Sequence, residues 1–305
     1  MYFASYRNAP WLARTHAVTF VPSAAALITL RGLAAGPPQR DRLIGFGDPY
    51  FSKEQAKEAS ETGASGSPNA IDQRGFRTAR RSLPKLKGFD TAQLDRLPRL
   101  PDTADELRSV ALALQVDPAK VLNLGKSANE RAVKQANLAK FRVVAFATHG
   151  LVPGDLDGLH QPALALSAPD VADVDGDGLL TMDEVLALKL DADWVVLSAC
   201  NTASGVRAGA EAASGLGRAF FYAGARSLLL TNWAVYSAPA AQLVSDLFRR
   251  QAADDKLRRG EALRQAMMAL VDGPGFLDDD GKEVSTYAHP VFWAPYTLVG
   301  DGGAN

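Results

Sequence analysis

Two short apolar runs most strongly limit the folds available to this chain. Residues 142–148 and 194–199 are rich in valine, alanine and other apolar residues. Runs of this length, bounded by turn-forming or polar residues, fit strands that are buried on both faces. Segments with helical patterning alternate with such runs along the chain. This alternation predicts an α/β fold with a mostly parallel sheet and helices on both faces.

The remaining strands and helices are predicted from hydrophobic patterning and capping signals. Residues 52–101 are the least regular part, rich in Gly, Ser, Pro and basic residues, and we predict a mobile insertion there. A cleavable or substrate-gating loop is the alternative. Thr103 and Glu106 have capping-box spacing, which predicts that a helix follows. Strands are expected at 17–21, 42–46, 120–124, 227–231 and 295–299, and helices at 23–30, 209–223, 238–250 and 260–271.

Composition narrows the classes of function. With 305 residues, 47% of them hydrophobic, the chain can form a large core, and we predict a single domain over residues 1–305. The net charge of −1 gives no basic bias, so no nucleic-acid partner is expected. The apolar stretch at 17–30 contains Pro22 and Ser23, which fit a strand and a capped helix better than a leader or membrane span. We therefore expect no membrane association. One cysteine, Cys200, cannot form an internal disulfide, which favours a reducing, cytoplasmic location.

His149 and Cys200 directly follow the two apolar runs. The carboxyl ends of neighbouring parallel strands are where open α/β sheets place their chemistry. A lone cysteine with a histidine about 50 residues upstream has the spacing of a caspase-type nucleophile and base. We predict His149 as general base and acid and Cys200 as nucleophile, with the Gly150 and Cys200 N–H groups as oxyanion donors. From these residues alone, a buried structural cysteine remains an alternative.

A second pattern lies between the two runs. Residues 173–184 fit a twelve-residue EF-hand loop, with glycine at the sixth position. The same residues also fit a tight turn followed by a capping box between Thr181 and Glu184, and the preceding segment does not resemble an EF-hand helix. No cofactor is required for the predicted chemistry. The candidate Ca²⁺ ligands are the carboxylates of Asp173, Asp175, Asp177 and Glu184 and the carbonyl of Leu179.

Several motifs in order resemble the CHAT family of caspase-like domains, which are often joined to TPR repeats. The likeness extends from about residue 11 to residue 300. The matching stretches are 146–150, 197–202, 215–220, 223–227, 232–235, 260–264 and 289–296.

The resemblance implies the caspase-haemoglobinase-like three-layer fold and a cysteine endopeptidase acting on a protein or peptide substrate. It implies the dyad of His149 and Cys200, with regulation by a TPR-containing region or partner protein. Because no TPR pattern is found, we expect either that the chain starts late in a longer protein or that another chain supplies that part.

The resemblance also predicts the pocket for the residue before the cleaved bond, with Trp233, Tyr236 and Ser237 in its wall. Separase-like relatives prefer a basic residue there and use an acid shortly after the tryptophan. No carboxylate follows Trp233 closely in this chain, so we expect a weaker preference for Arg or Lys. The alternative sources of this charge are three acids on neighbouring loops, Asp155, Asp157 and Glu211.

Three other functions stay open from the sequence. The first is a catalytically silent CHAT module that binds partners. The second is a different α/β hydrolase or amidase with a cysteine nucleophile. The third is a calcium-responsive scaffold without catalysis.

Overall fold

The computed structural model describes residues 3–21, 23–33, 36–62, 94–156, 158–198, 209–278 and 280–303, with the backbone alone at 62 and 209–214. The strands are β1 Asp41–Gly47, β2 Leu122–Leu124, β3 Phe141–Ala147, β4 Gly150–Leu151, β5 Ala163–Ala165, β6 Leu179–Thr181, β7 Trp194–Leu197, β8 Ser227–Thr231, β9 Phe276–Leu277, β10 Glu283–Ser285 and β11 Tyr296–Gly300. The helices are α1 Ala24–Gly32, α2 Lys53–Thr62, α3 Asp102–Ala113, α4 Pro118–Val121, α5 Glu130–Gln135, α6 Pro169–Ala172, α7 Met182–Ala187, α8 Gly209–Ala223, α9 Ser237–Ala253, α10 Arg259–Asp272 and α11 Pro290–Trp293.

A six-stranded sheet in the order β11-β8-β7-β3-β1-β2 forms the centre of the protein. Its strands are parallel except for β11, which pairs antiparallel with β8 at the edge. Along β3, Val143 and Ala145 face one core and Val144 and Phe146 face the other. Because successive side chains point to opposite faces, a strand buried on both sides must be apolar throughout.

Helices cover both faces of this sheet. One core contains side chains from α3, α9, α10 and α11, and the other contains side chains from α5, α7 and α8. The result is a three-layer α/β arrangement with a largely parallel central sheet, which confirms the predicted caspase-like fold class.

A small antiparallel sheet follows β3 in the order β4-β5-β6. Leu164 and Leu180 pack into the core that contains Phe146. Leu151 and Ala163 pack into a third cluster with Phe51. The small sheet therefore begins at the end of β3, directly after His149.

The structure differs from the sequence prediction in four places. Of the predicted strand 120–124, Lys120 and Val121 belong to α4, and the strand is Leu122–Leu124. Residues 17–21 form no strand, and Phe20 makes one isolated bridge to Val299. Within 52–101, residues Lys53–Thr62 form a helix, because the Lys, Glu, Gln and Ala residues of this stretch favour helix. Residues 63–93 lie outside the described part of the chain. Thr103 is not the N-cap of a helix, because α3 already begins at Asp102, and the Thr103 hydroxyl accepts from the Asp48 N–H and donates to the Leu100 carbonyl.

No helix in the described ranges has the length and apolar character needed to cross a bilayer.

Gly224, which joins α8 to β8, has a positive φ of 114°, and a Cβ atom there would lie 2.2 Å from the Leu190 carbonyl oxygen. Gly154 also has a positive φ, 89°, but open space where a Cβ would lie. We expect Gly154→Ala to cost about 1–3 kcal/mol in the free energy of unfolding, from backbone strain alone. Gly224→Ala should cost at least about 2 kcal/mol more, because it adds a clash with backbone. Urea denaturation measures both, and equal losses would contradict the predicted clash.

Candidate active site

His149 lies at the carboxyl end of β3 and is held there by backbone hydrogen bonds. The Thr148 hydroxyl donates to the Ala165 carbonyl, and the Ala165 N–H donates to the His149 carbonyl, 2.9 Å away. The His149 ring lies 5.6 Å from the Phe51 ring, centroid to centroid, and the residue is fully buried. The imidazole thus has a fixed place at the edge of the sheet.

The orientation of the imidazole is set by the backbone carbonyl of Pro98. The His149 Nε2 atom lies 2.7 Å from that oxygen. A carbonyl oxygen can only accept, so Nε2 must carry the proton. In the neutral ring Nδ1 is then the basic nitrogen.

The segment that supplies this carbonyl, residues 97–103, follows the same edge of the sheet. Arg99 donates two hydrogen bonds to Asp48 at the end of β1, at 2.8 and 2.6 Å. The Asp48 N–H donates to the Thr103 hydroxyl oxygen. Burial raises the pKa of Asp48, and the hydrogen bonds from Arg99 oppose that shift. Because Arg99 directly follows Pro98, its ion pair with Asp48 fixes the 97–103 segment next to the Pro98 carbonyl.

Gly150 lies in β4 opposite Leu164 of β5. The bond from the Ala165 N–H to the His149 carbonyl identifies Gly150 and Leu164 as a non-hydrogen-bonded pair of the antiparallel ladder. The β4–β5 ladder therefore does not use the Gly150 N–H. This geometry is compatible with the predicted donor role.

The predicted nucleophile, Cys200, lies outside the described residues. The strand that leads to it is described, and the Ser198 N–H donates to the Phe146 carbonyl. In the register of β3 and β7, Phe146 is opposite Leu197. His149 and Cys200 each come three residues later in the sequence.

The three predicted pocket residues lie together around the start of α9. The Trp233 Nε1 atom donates to the Val291 carbonyl at 3.5 Å, and the Tyr236 ring lies 5.1 Å from the Phe292 ring. The Ser237 hydroxyl donates to the Asp102 carboxylate, with 2.6 Å between Oγ and Oδ2. Asp102 is four residues after Pro98, so the Cα atoms of the two residues lie at most about 14 Å apart.

Of the acids considered for this pocket, Asp155 accepts a hydrogen bond from the Val152 N–H and closes its own turn. Burial raises the pKa of Asp155, although that hydrogen bond opposes the shift. Asp157 and the side chain of Glu211 lie outside the described residues. Asp102 was missed by the sequence analysis, since it precedes Ser237 by 135 residues. Pro98 was missed because a backbone carbonyl has no sequence signature.

Carboxylates of the loop at 173–184 form an ion pair and hydrogen bonds with other groups of the protein. Asp175 pairs with Arg131 at 3.1 Å, and the Asp177 carboxylate accepts from the Leu179 N–H. Asp173 ends α6 with a φ of 55°. In the described parts of the chain, no three His, Cys, Asp or Glu side chains are grouped closely enough to hold a metal ion. The Ca²⁺ site therefore stays a prediction, without converged ligands to support it.

The alternative expectation for this loop, the capping box, is confirmed. The Glu184 carboxylate accepts from the Thr181 N–H and hydroxyl at the start of α7. It also accepts from Lys134 at 2.6 Å. Burial disfavours ionisation of Glu184, but the hydrogen bonds from Lys134 and Thr181 outweigh it and lower its pKa.

Comparison with known proteins gives a family and one relative. A model of the CHAT domain matches residues 3–301. Tetratricopeptide repeat protein 28 of Mus musculus is 31% identical over 122 residues, which are 40% of this chain and 4% of that protein. The chain thus spans a small part of the length of that relative.

We expect Asp48→Asn to reduce the free energy of unfolding by about 2–3 kcal/mol, because it leaves the Arg99 charge without its carboxylate. The side chains of Asp48 and Arg99 are 6% and 24% exposed. Asp105→Asn is the matched control, because Asp105 pairs with Arg108 at the surface, where the side chains are 77% and 51% exposed. The control should change stability by less than about 0.5 kcal/mol in urea denaturation. Similar losses in the two variants would contradict a structural role for the buried pair.

The capping interaction of Glu184 should make stability depend on pH. Because the folded-state pKa of Glu184 lies below the ordinary value of 4.5, the ionised group stabilises the fold above that value. This contribution is lost as the pH falls through the lowered pKa. We therefore expect Glu184→Gln to be less stable than wild type at pH 7, with a difference that shrinks below pH 4.5. Asp183→Asn, one residue away, should change stability by less than about 0.5 kcal/mol at either pH. Denaturation at several pH values measures this, and a difference independent of pH would show that the carboxylate charge is not the cause.

Proposed function

This chain belongs to the CHAT domain family, and we propose that it is a caspase-like cysteine endopeptidase with His149 as general base and acid and Cys200 as nucleophile. CHAT domains have a caspase-like fold and are often related to peptidases. The observation that carries the proposal is the hydrogen bond from His149 Nε2 to the Pro98 carbonyl.

That hydrogen bond supports a base role because it leaves Nδ1 as the nitrogen that can take a proton. The register of β3 and β7 supports the partnership with Cys200, since both residues follow the same pair of the sheet by three positions. A neighbouring carbonyl also stabilises the imidazolium that forms when the thiol is deprotonated. It plays the part of the third, orienting group of a catalytic triad.

The reaction then proceeds in two steps. His149 takes the Cys200 proton, and the thiolate attacks the peptide carbonyl carbon to give a tetrahedral oxyanion. The N–H groups of Gly150 and Cys200 are the donors that we assign to this oxyanion. The imidazolium gives its proton to the leaving amine, and a thioester remains. Water, deprotonated by His149, hydrolyses the thioester and releases Cys200.

We also propose regulation by a TPR-containing region or partner protein, with a protein or peptide as substrate. The mouse relative is a tetratricopeptide repeat protein, which supports a TPR association.

We expect His149→Ala and Cys200→Ala each to lower cleavage of a peptide library by at least about a thousandfold, as measured by mass spectrometry of the products. The double variant should be no worse than either single variant, because the two residues act as a unit. His160→Ala is the matched control, because His160 is exposed, and it should keep full activity.

Two outcomes would overturn the proposal. The first is turnover retained in Cys200→Ala. The second is alkylation of Cys200 by a thiol-reactive peptide probe at the same rate in wild type and in His149→Ala, with no cleavage of any library peptide. The second result would indicate a catalytically silent interaction module.

A further inference from the structure

We infer that the end of the sheet opposite the candidate active site carries a binding site for a small organic phosphate. The site is a cavity of about 530 Å³ beside the start of α10. Cavities of this size hold small-molecule ligands in many proteins. The inference is independent of the proposed function, because the site contains neither His149 nor Cys200.

The first observation is a cluster of arginines at the amino ends of the parallel strands. The carboxylate of Asp193, directly before β7, lies within 4.0 Å of four guanidinium groups. Three of them come from the starts of β1, β3 and β8, and the fourth comes from the start of α10. The four residues, with their distances to Asp193, are Arg40 at 3.0 Å, Arg142 at 2.9 Å, Arg226 at 3.8 Å and Arg259 at 4.0 Å.

The ion pairs of this cluster contain more cations than anions. Asp191 pairs with Arg226 at 2.6 Å, and Asp301, directly after β11, pairs with Arg31 at 3.5 Å. The pairs thus join five arginines to three aspartates, although the whole chain has a net charge of −1. Burial lowers the pKa of Arg259 more than the neighbouring aspartates raise it. An excess of cations at a partly buried site favours the binding of an anion.

The cavity lies next to this cluster. Arg31, which pairs with Asp301, lines the cavity, and so do residues 302–303. The Arg259 guanidinium donates to the Asp301 carbonyl at 3.2 Å. Residues 301–303 therefore belong both to the cluster and to the cavity wall. Because a cleft with low-dielectric walls focuses the field of nearby charges, the cluster makes the potential inside the cavity more positive.

The cavity wall also has cations of its own. Within the described ranges, Lys256 and Arg258 form no ion pair, and both are exposed. Of the two acids in the wall, Glu261 is bound by Arg264 through two contacts of 2.7 Å, which lower the pKa of Glu261 to about 2. The other acid, Asp254, accepts from the Lys256 N–H. A phosphate group in the cavity therefore meets more positive than negative charge.

The remaining wall residues favour an organic phosphate over a bare anion. Ala17, Leu27 and Leu257 are apolar parts of the wall. Lysine and arginine donate charge-assisted hydrogen bonds to phosphate oxygens, and apolar side chains can pack against a sugar or a base. A phosphomonoester of about the size of a nucleotide fits both kinds of wall residue.

A purely structural role of the arginines makes a different prediction. The pairs with Asp193 tie the starts of β1, β3 and β8 to the start of β7, and this role needs no ligand. Lys256 and Arg258 take no part in these pairs. Replacing the two residues therefore tests the site without removing the ion pairs that hold the strands.

The test is isothermal titration calorimetry of the full chain with adenosine monophosphate (AMP), adenosine and inorganic phosphate. We expect AMP to bind at least about tenfold more tightly than adenosine or phosphate. The double variant Lys256→Gln/Arg258→Gln should lower the affinity for AMP at least about tenfold, because it removes two charge-assisted contacts. Lys282→Gln is the matched control, since Lys282 is an exposed lysine between β9 and β10. It should change the affinity by less than about twofold.

Each outcome supports or overturns the inference. Absence of AMP binding, or equal affinities for AMP and adenosine, overturns it. Equal affinities for AMP and inorganic phosphate overturn the assignment to an organic phosphate. An affinity for AMP that is unchanged in the double variant places the ligand elsewhere and overturns the site. Urea denaturation of the double variant should match that of wild type, because neither replaced residue is buried. None of these results depends on whether the protein cleaves peptides.

Discussion

The hydrogen bond between His149 and the Pro98 carbonyl joins the two parts of the protein on which the candidate site depends. His149 belongs to the end of β3, and Pro98 belongs to the segment that leads into α3. The bond fixes the ring nitrogen that carries the proton and leaves the other nitrogen as the base. The position of that segment therefore controls the chemistry of the imidazole, although the segment contributes no catalytic side chain.

The same segment is held by contacts of two kinds. Arg99 forms a bidentate ion pair with Asp48, which is buried at the end of β1. Asp102 reaches the start of α9 through Ser237. A buried ion pair is specific in geometry, because leaving either charge unpaired is costly. The segment is thus anchored to the sheet at Asp48, and this anchoring brings the orienting carbonyl and the Asp102 carboxylate to one edge of the fold.

Much of this arrangement could be predicted from local sequence. Apolar runs buried on both faces have a strong signature, so β3 and β7 were identified, and His149 was found because it directly follows such a run. The bounds of α8 and β8 agree with the prediction residue for residue. The capping box at Thr181 and Glu184 is also local, since its partners lie three residues apart. The predicted strand at 17–21 is wrong, because this segment pairs with β11 through a single bridge, between Phe20 and Val299. Local apolar patterning does not determine whether a segment finds a partner strand.

The sequence by itself determined the fold class and the residue types able to do cysteine-peptidase chemistry, because both follow from periodicity and from polar residues at strand ends. The tertiary structure decided which group orients His149 and which carboxylate meets Ser237. A backbone carbonyl such as that of Pro98 is present at every residue, so no residue type marks it. Asp102 and Ser237 are 135 residues apart, and only the packing of α3 beside α9 brings them into contact.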